Sequence, residues 1–378
     1  MKNIVILGAT GSIGKQVLDV IRQNPDRFHI VGLSAHSNAK DLRPLIREFE
    51  PDRVCMADPK GLLDLNLTRY PISKKFPELL SGEDGITQLI FDPNVEIVVN
   101  AISGTHGIMH TITAIQKRKT VLIANKESLV SSGQLILEMA MRHHSLIIPI
   151  DSEITALMQC LEGKSEQNIE KIILPCTGGP FYGKSKKELL KATKQDALAH
   201  PVWKMGEKIS IDSATLMNKG FEMIVAHTLF KVPVANIEIV IHPESVIHGM
   251  IQWKDGNITA SMSPPDMRFA IQYALFFPER EETKFPRLDF AKFKSLTFEK
   301  PDESLYESIT LARGAAQIQG NMPAILNHAN DEAVEKFLKN EIAFTDIMPH
   351  VRKHMSIHNF TPEPNLEELI ELQQCRKT

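Results

Sequence analysis

The chain has 378 residues, 43% of them hydrophobic, and a formal net charge of -3 at pH 7. These values predict a globular protein of two or three domains. The sequence has neither the basic stripe typical of nucleic-acid binding nor a run of 18 apolar residues, so we expect no nucleic-acid partner and no membrane span.

The cysteine pattern and the first residues bear on the cellular compartment. Cys55, Cys160, Cys176 and Cys375 form no C-x-x-C pair and no zinc-finger spacing, a pattern typical of reduced thiols. The run from Ile4 already has the pattern of a strand, which predicts that no targeting segment precedes it. We therefore expect a cytoplasmic protein.

Residues 1–150 alternate short apolar runs with amphipathic stretches. This alternation predicts an α/β fold with a doubly wound, parallel, Rossmann-like sheet that is covered by helices on both faces. The predicted strands are residues 4–7, 30–34, 54–57, 97–101, 121–124 and 146–150, and the predicted helices are residues 13–23, 38–49, 107–116 and 133–143.

The pattern changes after residue 150. Residues 151–278 predict a smaller α/β catalytic domain with a mixed sheet, in which the turn at Lys254–Gly256 joins two strands as a hairpin. Residues 279–304 are polar and punctuated by prolines, as in a linker. Residues 305–378 have only helical periodicity and predict a C-terminal helical bundle. The predicted elements of the catalytic domain are a helix over 152–162 and strands over 171–175, 237–241, 245–253 and 257–262.

A glycine-rich turn, GATGSIG at residues 8–14, lies between the first predicted strand and the first predicted helix. Glycines at such a junction allow a tight turn, and the helix N-terminus favours a pyrophosphate. In this position the motif predicts dinucleotide binding, while a purely structural turn is the alternative.

The end of the second strand distinguishes between NAD and NADP. An NAD site usually has a carboxylate about 20 residues beyond the glycines. Here the sequence has His36, Ser37 and Asn38, and the first carboxylate is Asp41. The missing carboxylate favours NADP, although the first fixed positive charge is Lys40.

Two carboxylates, Asp151 and Glu153, follow the last predicted strand of the first domain. Residues i and i+2 at the end of a strand point the same way, so both can converge on one ion. Oxygen ligands alone suit Mg²⁺ or Mn²⁺. The same residues are also common at the N-terminus of a helix, and this fragment alone leaves both interpretations open.

The segment from His200 to Glu222 favours a metal and phosphate site. Ser213, Asn218 and Lys219 offer a hydroxyl, an amide and a compact cation, which suit a phosphate group. Glu222, three residues after Lys219, would share its helix face and could complete a three-carboxylate site, or it could form a solvent-facing ion pair. Trp203, in a loop with Pro and Gly, is either an aromatic lid or a core residue.

Seven motifs together resemble the 1-deoxy-D-xylulose 5-phosphate reductoisomerase family. They occur in the family's order and cover the first two domains densely, whereas the tail agrees only in length and helical character. The motifs are GATGSIG (8–14), ANKESL (124–129), IDSE (150–153), GGPF (178–181), HPVWKMG (200–206), NKGFE (218–222) and HPESVIHGM (242–250).

The resemblance implies a role for each matching residue. Asp151, Glu153 and Glu222 would hold Mg²⁺ or Mn²⁺. The substrate phosphate would contact Ser213, Asn218, Lys219 and Thr177, and the sugar backbone would contact Lys126, Ser152 and His200, with Trp203 and Met205 closing over it. NADPH would contact Thr10, Gly11, Ser12, Ile13, His36, Ser37, Asn38, Asn125, Glu127 and Gly206.

The resemblance also implies the reaction and a homodimer. The metal would chelate the ketone and a neighbouring hydroxyl of a sugar phosphate, 1-deoxy-D-xylulose 5-phosphate. Retro-aldol cleavage and re-addition would give a branched aldehyde, which NADPH would reduce to 2-C-methyl-D-erythritol 4-phosphate, in the non-mevalonate route to isoprenoid precursors.

Five positions depart from the family pattern. His36-Ser37 stands where a Gly and a cation are usual, which predicts weaker discrimination between NADPH and NADH. Thr177 replaces Ser, Ile154 replaces His and Glu244 replaces Gln. Thr177 keeps the hydroxyl donor, which predicts only a small change in substrate affinity. The changes at Ile154 and Glu244 concern the surroundings of the site and leave the metal ligands unchanged.

Two other classes of function remain as alternatives. A metal-independent Rossmann dehydrogenase would explain the glycine turn and would retain its activity after removal of divalent ions. A non-catalytic dinucleotide-sensing module would bind the cofactor without turnover, but the phosphate-type residues at Asn218 and Lys219 argue against it.

Overall fold

The computed structural model describes residues 1–65, 76–104 and 107–374. The chain forms two compact units, each built from three separate stretches of sequence. No helix in the described ranges is long and apolar enough to cross a membrane. The first unit comprises Met1–Asn125, Leu135–Asp151 and Met267–Phe285, and the second comprises Lys126–Gln134, Ser152–Asp266 and Pro286–Thr378.

The described strands fall into two sheets. In chain order they are β1 (Lys2–Leu7), β2 (Phe28–Ala35), β3 (Arg53–Met56), β4 (Glu78–Ser81), β5 (Ile97–Asn100), β6 (Thr120–Ile123), β7 (Ile147–Pro149), β8 (Ile169–Cys176), β9 (Ile237–Ile241), β10 (Ile247–Trp253) and β11 (Ile258–Met262).

The described helices lie between and after these strands. They are α1 (Ser12–Gln23), α2 (Ala39–Phe49), α3 (Pro59–Leu65), α4 (Gly82–Phe91), α5 (Gly107–Gln116), α6 (Lys126–His143), α7 (Ser152–Leu161), α8 (Lys186–Leu189), α9 (Lys194–Leu198), α10 (Glu207–Ala214), α11 (Met217–Phe230), α12 (Met267–Phe276), α13 (Glu307–Ile318), α14 (Met322–Leu338), α15 (Ile347–Ile357) and α16 (Leu366–Gln374).

The first unit contains a parallel sheet of order β4-β3-β2-β1-β5-β6-β7. Its central strands are apolar on both faces because helices cover both; Val5 and Val98 are fully buried. The late helix α12 packs against α1, and the ring of Phe276 lies edge-on to that of Phe28 at 5.2 Å between centroids. This unit is the doubly wound domain that the sequence predicts.

The second unit contains a four-stranded sheet of order β11-β10-β8-β9, in which only β8 and β9 are parallel. Helix α7 packs against β10 and β11. It approaches closely because Gly249 has no side chain: a Cβ there would lie 3.1 Å from the Cβ of Ala156. From α13 onward, the regular elements of the described residues are helices, and α14 packs against α13 and α15.

The predicted fold class is therefore confirmed, as is the hairpin between β10 and β11, whose turn residue Gly256 has φ +86°. Strand β10 begins at Ile247, two residues later than predicted, since Ser245 has φ +51°. Strand β4 and helices α3, α4 and α8 to α12 are additions to the prediction. The predicted domain boundaries after residues 150, 278 and 304 stay predictions.

Candidate active site

The glycine turn connects β1 to α1 in the first unit. Gly8 has φ +80°, and a Cβ there would lie 2.7 Å from the carbonyl oxygen of Ala101. A Cβ on Gly14 would lie 2.3 Å from the carbonyl oxygen of Gly8, so its absence lets α1 start against the turn. The first turn of α1 carries no acidic side chain, which leaves its N–H groups suited to a phosphate. Residues 10–13, predicted to contact the cofactor, form this turn and the start of the helix.

The end of β2 presents the three residues predicted to lie near the cofactor ribose. His36, Ser37 and Asn38 are all exposed. The Asn38 side chain caps α2 by accepting a hydrogen bond from the backbone N–H of Asp41 at 3.1 Å. The carboxylate of Asp41 pairs with Lys15 at 2.7 Å, and this lysine lowers its pKa. The first carboxylate after β2 is thus engaged by a lysine of α1.

Two asparagines fix the loop after β5 in the first unit. The side-chain amide of Asn125 donates to the carbonyl oxygen of Ile102 at 2.6 Å and to that of Gly104. The amide of Asn100 donates to the carbonyl oxygen of Gly107 at 2.7 Å. Asn125, a predicted cofactor contact, therefore also has a structural role at the carboxyl end of the sheet, where ligands of such folds bind.

Two carboxylates and two lysines lie together in the second unit. Glu153 lies in the first turn of α7, and one of its oxygens is within 4.8 Å of an oxygen of Glu222 on α11. Lys219 Nζ is 2.7 Å from Glu153 Oε1 and 2.5 Å from Glu222 Oε2. Lys126 Nζ and Asn218 Nδ2 donate to Glu222 Oε1 at 2.8 Å and 2.6 Å. We call these five residues the carboxylate–lysine cluster.

Burial makes the charges of this cluster depend on one another. The side chains of Lys219 and Glu222 are only 3% and 1% exposed. Burial alone would raise the pKa of Glu153, but the charges of Lys219 and Lys126 outweigh it and bring that pKa to about 2. Burial alone would lower the pKa of Lys219, and the two carboxylates raise it instead. Glu153 is thus ionised at neutral pH, as a metal ligand must be.

Asp151 and Ser152 lead directly into α7. Asp151 is 7% exposed and is two residues from Glu153 in the chain. The hydroxyl of Ser152 donates to the carboxylate of Glu153. The predicted pair of carboxylates after β7 therefore occurs at the entry to a helix.

Thr177 and His200 form a hydrogen-bonded pair after β8. Nδ1 of His200 accepts from the backbone N–H groups of Val202 and Trp203 at 3.2 Å and 2.8 Å. These two bonds require an unprotonated Nδ1, so Nε2 carries the proton and donates to Thr177 Oγ1 at 3.1 Å. Burial lowers the pKa of His200 to about 4, which keeps the ring neutral. Thr177 also accepts from the N–H of Gly179, which leaves its own proton for a ligand.

The segment after His200 carries the predicted lid residues. Trp203 is half-buried; its Nε1 donates to Ser245 Oγ at 3.3 Å, and its ring lies edge-on to His248 at 6.4 Å between centroids. Met205 is also half-buried. Trp203 therefore has a polar contact and a partly exposed face, and its role as a lid stays a prediction.

The turn after Thr177 packs on the helix that carries Ser213. Gly179 has φ +68°, and a Cβ there would lie 2.7 Å from the carbonyl oxygen of Ser213. Ser213 itself is half-buried on α10, whose N-cap is the exposed Gly206. Gly179 thus donates its N–H to the hydroxyl of Thr177 and lies against the backbone carbonyl of Ser213.

A buried network around Lys208 was not predicted from sequence. Its Nζ lies 2.8 Å from Asp212, 3.2 Å from Asp331 and 3.2 Å from Glu127. Burial alone would raise the pKa of Glu127, yet the charge of Lys208 lowers it. Glu127, predicted to contact NADPH, therefore has an ion-pair partner in the second unit. The i,i+4 spacing of Lys208 and Asp212 was the available sequence signal.

Comparison with known proteins places these motifs in one family. The family model for 1-deoxy-D-xylulose 5-phosphate reductoisomerase matches residues 4–133, and models for the C-terminal domains of that protein match 147–230 and 262–378. The 1-deoxy-D-xylulose 5-phosphate reductoisomerase of Pelotomaculum thermopropionicum is 47% identical over 98% of this chain and 95% of its own length. That of Bacillus cereus strain Q1 is 42% identical over 98% and 97%.

Solved structures agree along nearly the whole chain. The reductoisomerase of Zymomonas mobilis in complex with NADPH superposes with a TM-score of 0.91 at 38% identity, over 99% of this chain and 96% of that one. A reductoisomerase in complex with NADPH, fosmidomycin and magnesium gives the same TM-score and coverage at 37% identity. The chain described here belongs to the 1-deoxy-D-xylulose 5-phosphate reductoisomerase family.

Proposed function

We propose that this chain rearranges 1-deoxy-D-xylulose 5-phosphate and reduces the product with NADPH to 2-C-methyl-D-erythritol 4-phosphate, in the non-mevalonate route to isoprenoid precursors. The observation that carries the proposal is the carboxylate–lysine cluster. It combines anionic ligands for a divalent ion with cations for a phosphorylated substrate. Its residues match the family's motifs at the positions that the sequence predicts.

The donor set fits a hard divalent cation. Glu153 and Glu222 offer carboxylate oxygens, and Asp151, next to α7, would supply the third. Carboxylates alone suit Mg²⁺, and Mn²⁺ accepts the same ligands. When bound, the ion would act as a Lewis acid on the ketone and its neighbouring hydroxyl, and NADPH would supply the hydride.

The cations and hydroxyls of the second unit would bind and orient the sugar phosphate. Lys219 stays protonated between two carboxylates, so it would present a full positive charge to the phosphate, beside Asn218. Ser213 and Thr177 would add hydroxyl donors. Neutral His200 fixes the orientation of Thr177 through its Nε2–H.

The remaining residues would hold the sugar backbone and exclude water. Lys126 and Ser152 already contact the carboxylates and would turn toward the substrate hydroxyls. Trp203 and Met205, in the segment before α10, would close over the sugar, because a bound reactive aldehyde must be shielded from solvent.

The cofactor would use the glycine turn. Residues 10–13 would bind the pyrophosphate through backbone N–H groups, with His36, Ser37 and Asn38 near the 2′-phosphate. Asn125, Glu127 and Gly206 would complete the contacts. His36, Ser37 and Asn38, which would lie near the 2′-phosphate, include no arginine. Weaker selection of NADPH over NADH is therefore part of the proposal.

Two further features extend the proposal. A homodimer and a cytoplasmic location are expected from the family resemblance and from the reduced thiols; Cys55, Cys160 and Cys176 are free. Analytical ultracentrifugation tests the dimer.

The direct test follows NADPH absorbance with 1-deoxy-D-xylulose 5-phosphate, with Mg²⁺ or with a chelator, and identifies the product by NMR. We expect oxidation that requires the metal and yields 2-C-methyl-D-erythritol 4-phosphate. Oxidation that survives thorough chelation would favour a metal-independent dehydrogenase, and cofactor binding without turnover would favour a sensing module.

A further inference from the structure

Two histidines and a glutamate lie together on the C-terminal helices of the second unit. His350 and His354 are four residues apart on α15, so they share one helix face. Glu332 on α14 faces both: its Oε1 is 3.5 Å from His350 Nε2, and its Oε2 is 3.2 Å from His354 Nδ1. None of the three belongs to the motifs or to the proposed reaction.

The two imidazole nitrogens that face Glu332 are buried. Neither His350 Nε2 nor His354 Nδ1 makes a hydrogen bond to any described residue. The two rings stack with 4.3 Å between their centroids, an unfavourable arrangement for two charged rings.

The three side chains are close enough to share one ion. Ligands at about 2.0–2.1 Å from Zn²⁺ in tetrahedral geometry lie about 3.3–3.5 Å from one another. One ligand atom from each residue lies within 4.8 Å of the other two, and the two histidine nitrogens lie 3.5 Å and 3.2 Å from different oxygens of Glu332. We propose that Glu332, His350 and His354 form a second metal site that binds Zn²⁺ or a similar transition-metal ion, with water as the fourth ligand.

This site differs in chemistry from the carboxylate site. Two imidazoles and one carboxylate suit Zn²⁺, whereas oxygens alone suit Mg²⁺. A bound ion would join α14 to α15 and stabilise the folded state in proportion to its occupancy. The inference is independent of the reductoisomerase reaction.

Lys336 would compete with a metal ion for the carboxylate of Glu332. Its Nζ is 2.7 Å from Glu332 Oε1, one helical turn away, and its side chain is 36% exposed. It neutralises the carboxylate that the ion needs, but its exposure allows it to turn into solvent. Replacing it should therefore tighten metal binding, the opposite effect to that of removing a histidine.

The test measures Zn²⁺ affinity of the full chain by competition with a chromophoric chelator, in excess Mg²⁺ to occupy the carboxylate site. Co²⁺ serves as a second probe, because its visible absorption shows whether the bound ion has a low coordination number. We expect one Zn²⁺ per chain. The Zn²⁺ affinity should be weakened roughly a hundredfold or more in His354→Ala and in His350→Gln, because even the loss of an outer-sphere partner costs 10–100-fold. The Zn²⁺ affinity of Lys336→Ala should be higher than that of the wild type.

The control is His358→Ala, since the His358 ring lies 6.0 Å from that of His354 and outside the set of three. It should leave Zn²⁺ affinity unchanged, and His354→Ala should leave Mg²⁺-dependent turnover unchanged. Circular dichroism verifies that each variant is folded. Unchanged Zn²⁺ affinity in both folded histidine variants, or no effect of Lys336→Ala, would overturn the site.

Discussion

The ammonium group of Lys219 lies 2.7 Å from the carboxylate of Glu153, and the lysine is almost completely shielded from water. The same ammonium reaches Glu222, so one cation balances two buried anions. The charge of Lys219 keeps Glu153 ionised, and the two carboxylates proposed as metal ligands lie close together.

Lys219→Met should destabilise the chain and make it depend on a divalent ion. Removing one partner of a buried ion pair costs about 3–5 kcal/mol, because the remaining charge stays buried. Thermal and urea unfolding with a chelator should show this loss, and Mg²⁺ should restore more stability to the variant than to the wild type. Lys171→Met, which removes an exposed pair with Glu238, is the control and should have little effect. Equal losses in the two variants would contradict the account.

Gly14→Ala should weaken NADPH binding. The added Cβ would lie 2.3 Å from the carbonyl oxygen of Gly8, so α1 must shift away from the turn. Overpacking of this kind costs about 1–3 kcal/mol. Calorimetric titration of Gly14→Ala should show weaker NADPH binding. The control is Gly314→Ala, since no atom lies near the Cβ that would be added there. This control should retain its NADPH affinity, and its folded state should gain about 0.5–1 kcal/mol because alanine replaces glycine within a helix. Wild-type NADPH affinity in Gly14→Ala would be the opposing result.

Ser37→Arg should raise the preference for NADPH over NADH. The exposed Ser37 follows β2, and an arginine there could bind a 2′-phosphate through charge-assisted hydrogen bonds. One such bond is worth about 1.5–3 kcal/mol, or roughly tenfold or more in the ratio of kcat/KM values. Steady-state kinetics with both cofactors measures the ratio, with Ser37→Ala as the control. A ratio no higher than that of the wild type would show that the position does not set the preference.

His200 should make the free energy of unfolding depend on pH. Burial lowers its pKa from an ordinary value near 6.5 to about 4, so the unfolded chain binds a proton that the folded chain excludes. The contribution is fully present above pH 6.5 and is lost as pH falls toward 4. Urea unfolding over this range should show a flatter profile for His200→Gln than for the wild type. Parallel profiles would mean that His200 is protonated in the folded state.

The sequence predicted the central strands well because buried parallel strands are apolar runs, such as β1 and β5. It did not predict β4, a short strand at the edge of the sheet in which Glu78 and Leu79 are exposed, since such a segment has no periodic signal. Nor does a local pattern show that α12, more than 240 residues after α1, joins the first unit.

The residues of the candidate site also divide into those that the sequence predicted and those that it did not. The motif spacing predicted Glu153, Lys219 and Glu222, because residues near in sequence or on one helix face show their relation directly. The contact of Lys126 with Glu222, 96 residues apart, depends on tertiary packing. The Lys208 network likewise joins helices that are distant in sequence, whereas the Glu332 histidine cluster joins the consecutive helices α14 and α15.

The most direct test of the metal and substrate site is Mg²⁺-dependent oxidation of NADPH by Glu222→Gln, which keeps the size of the side chain and removes its charge. We expect a loss of roughly a hundredfold or more in turnover, since a metal ligand contributes several kcal/mol. NADPH affinity should be unchanged, and Glu238→Gln, an exposed substitution on β9, should behave as the wild type. Wild-type turnover and an unaltered Mg²⁺ requirement in Glu222→Gln would contradict the proposed site.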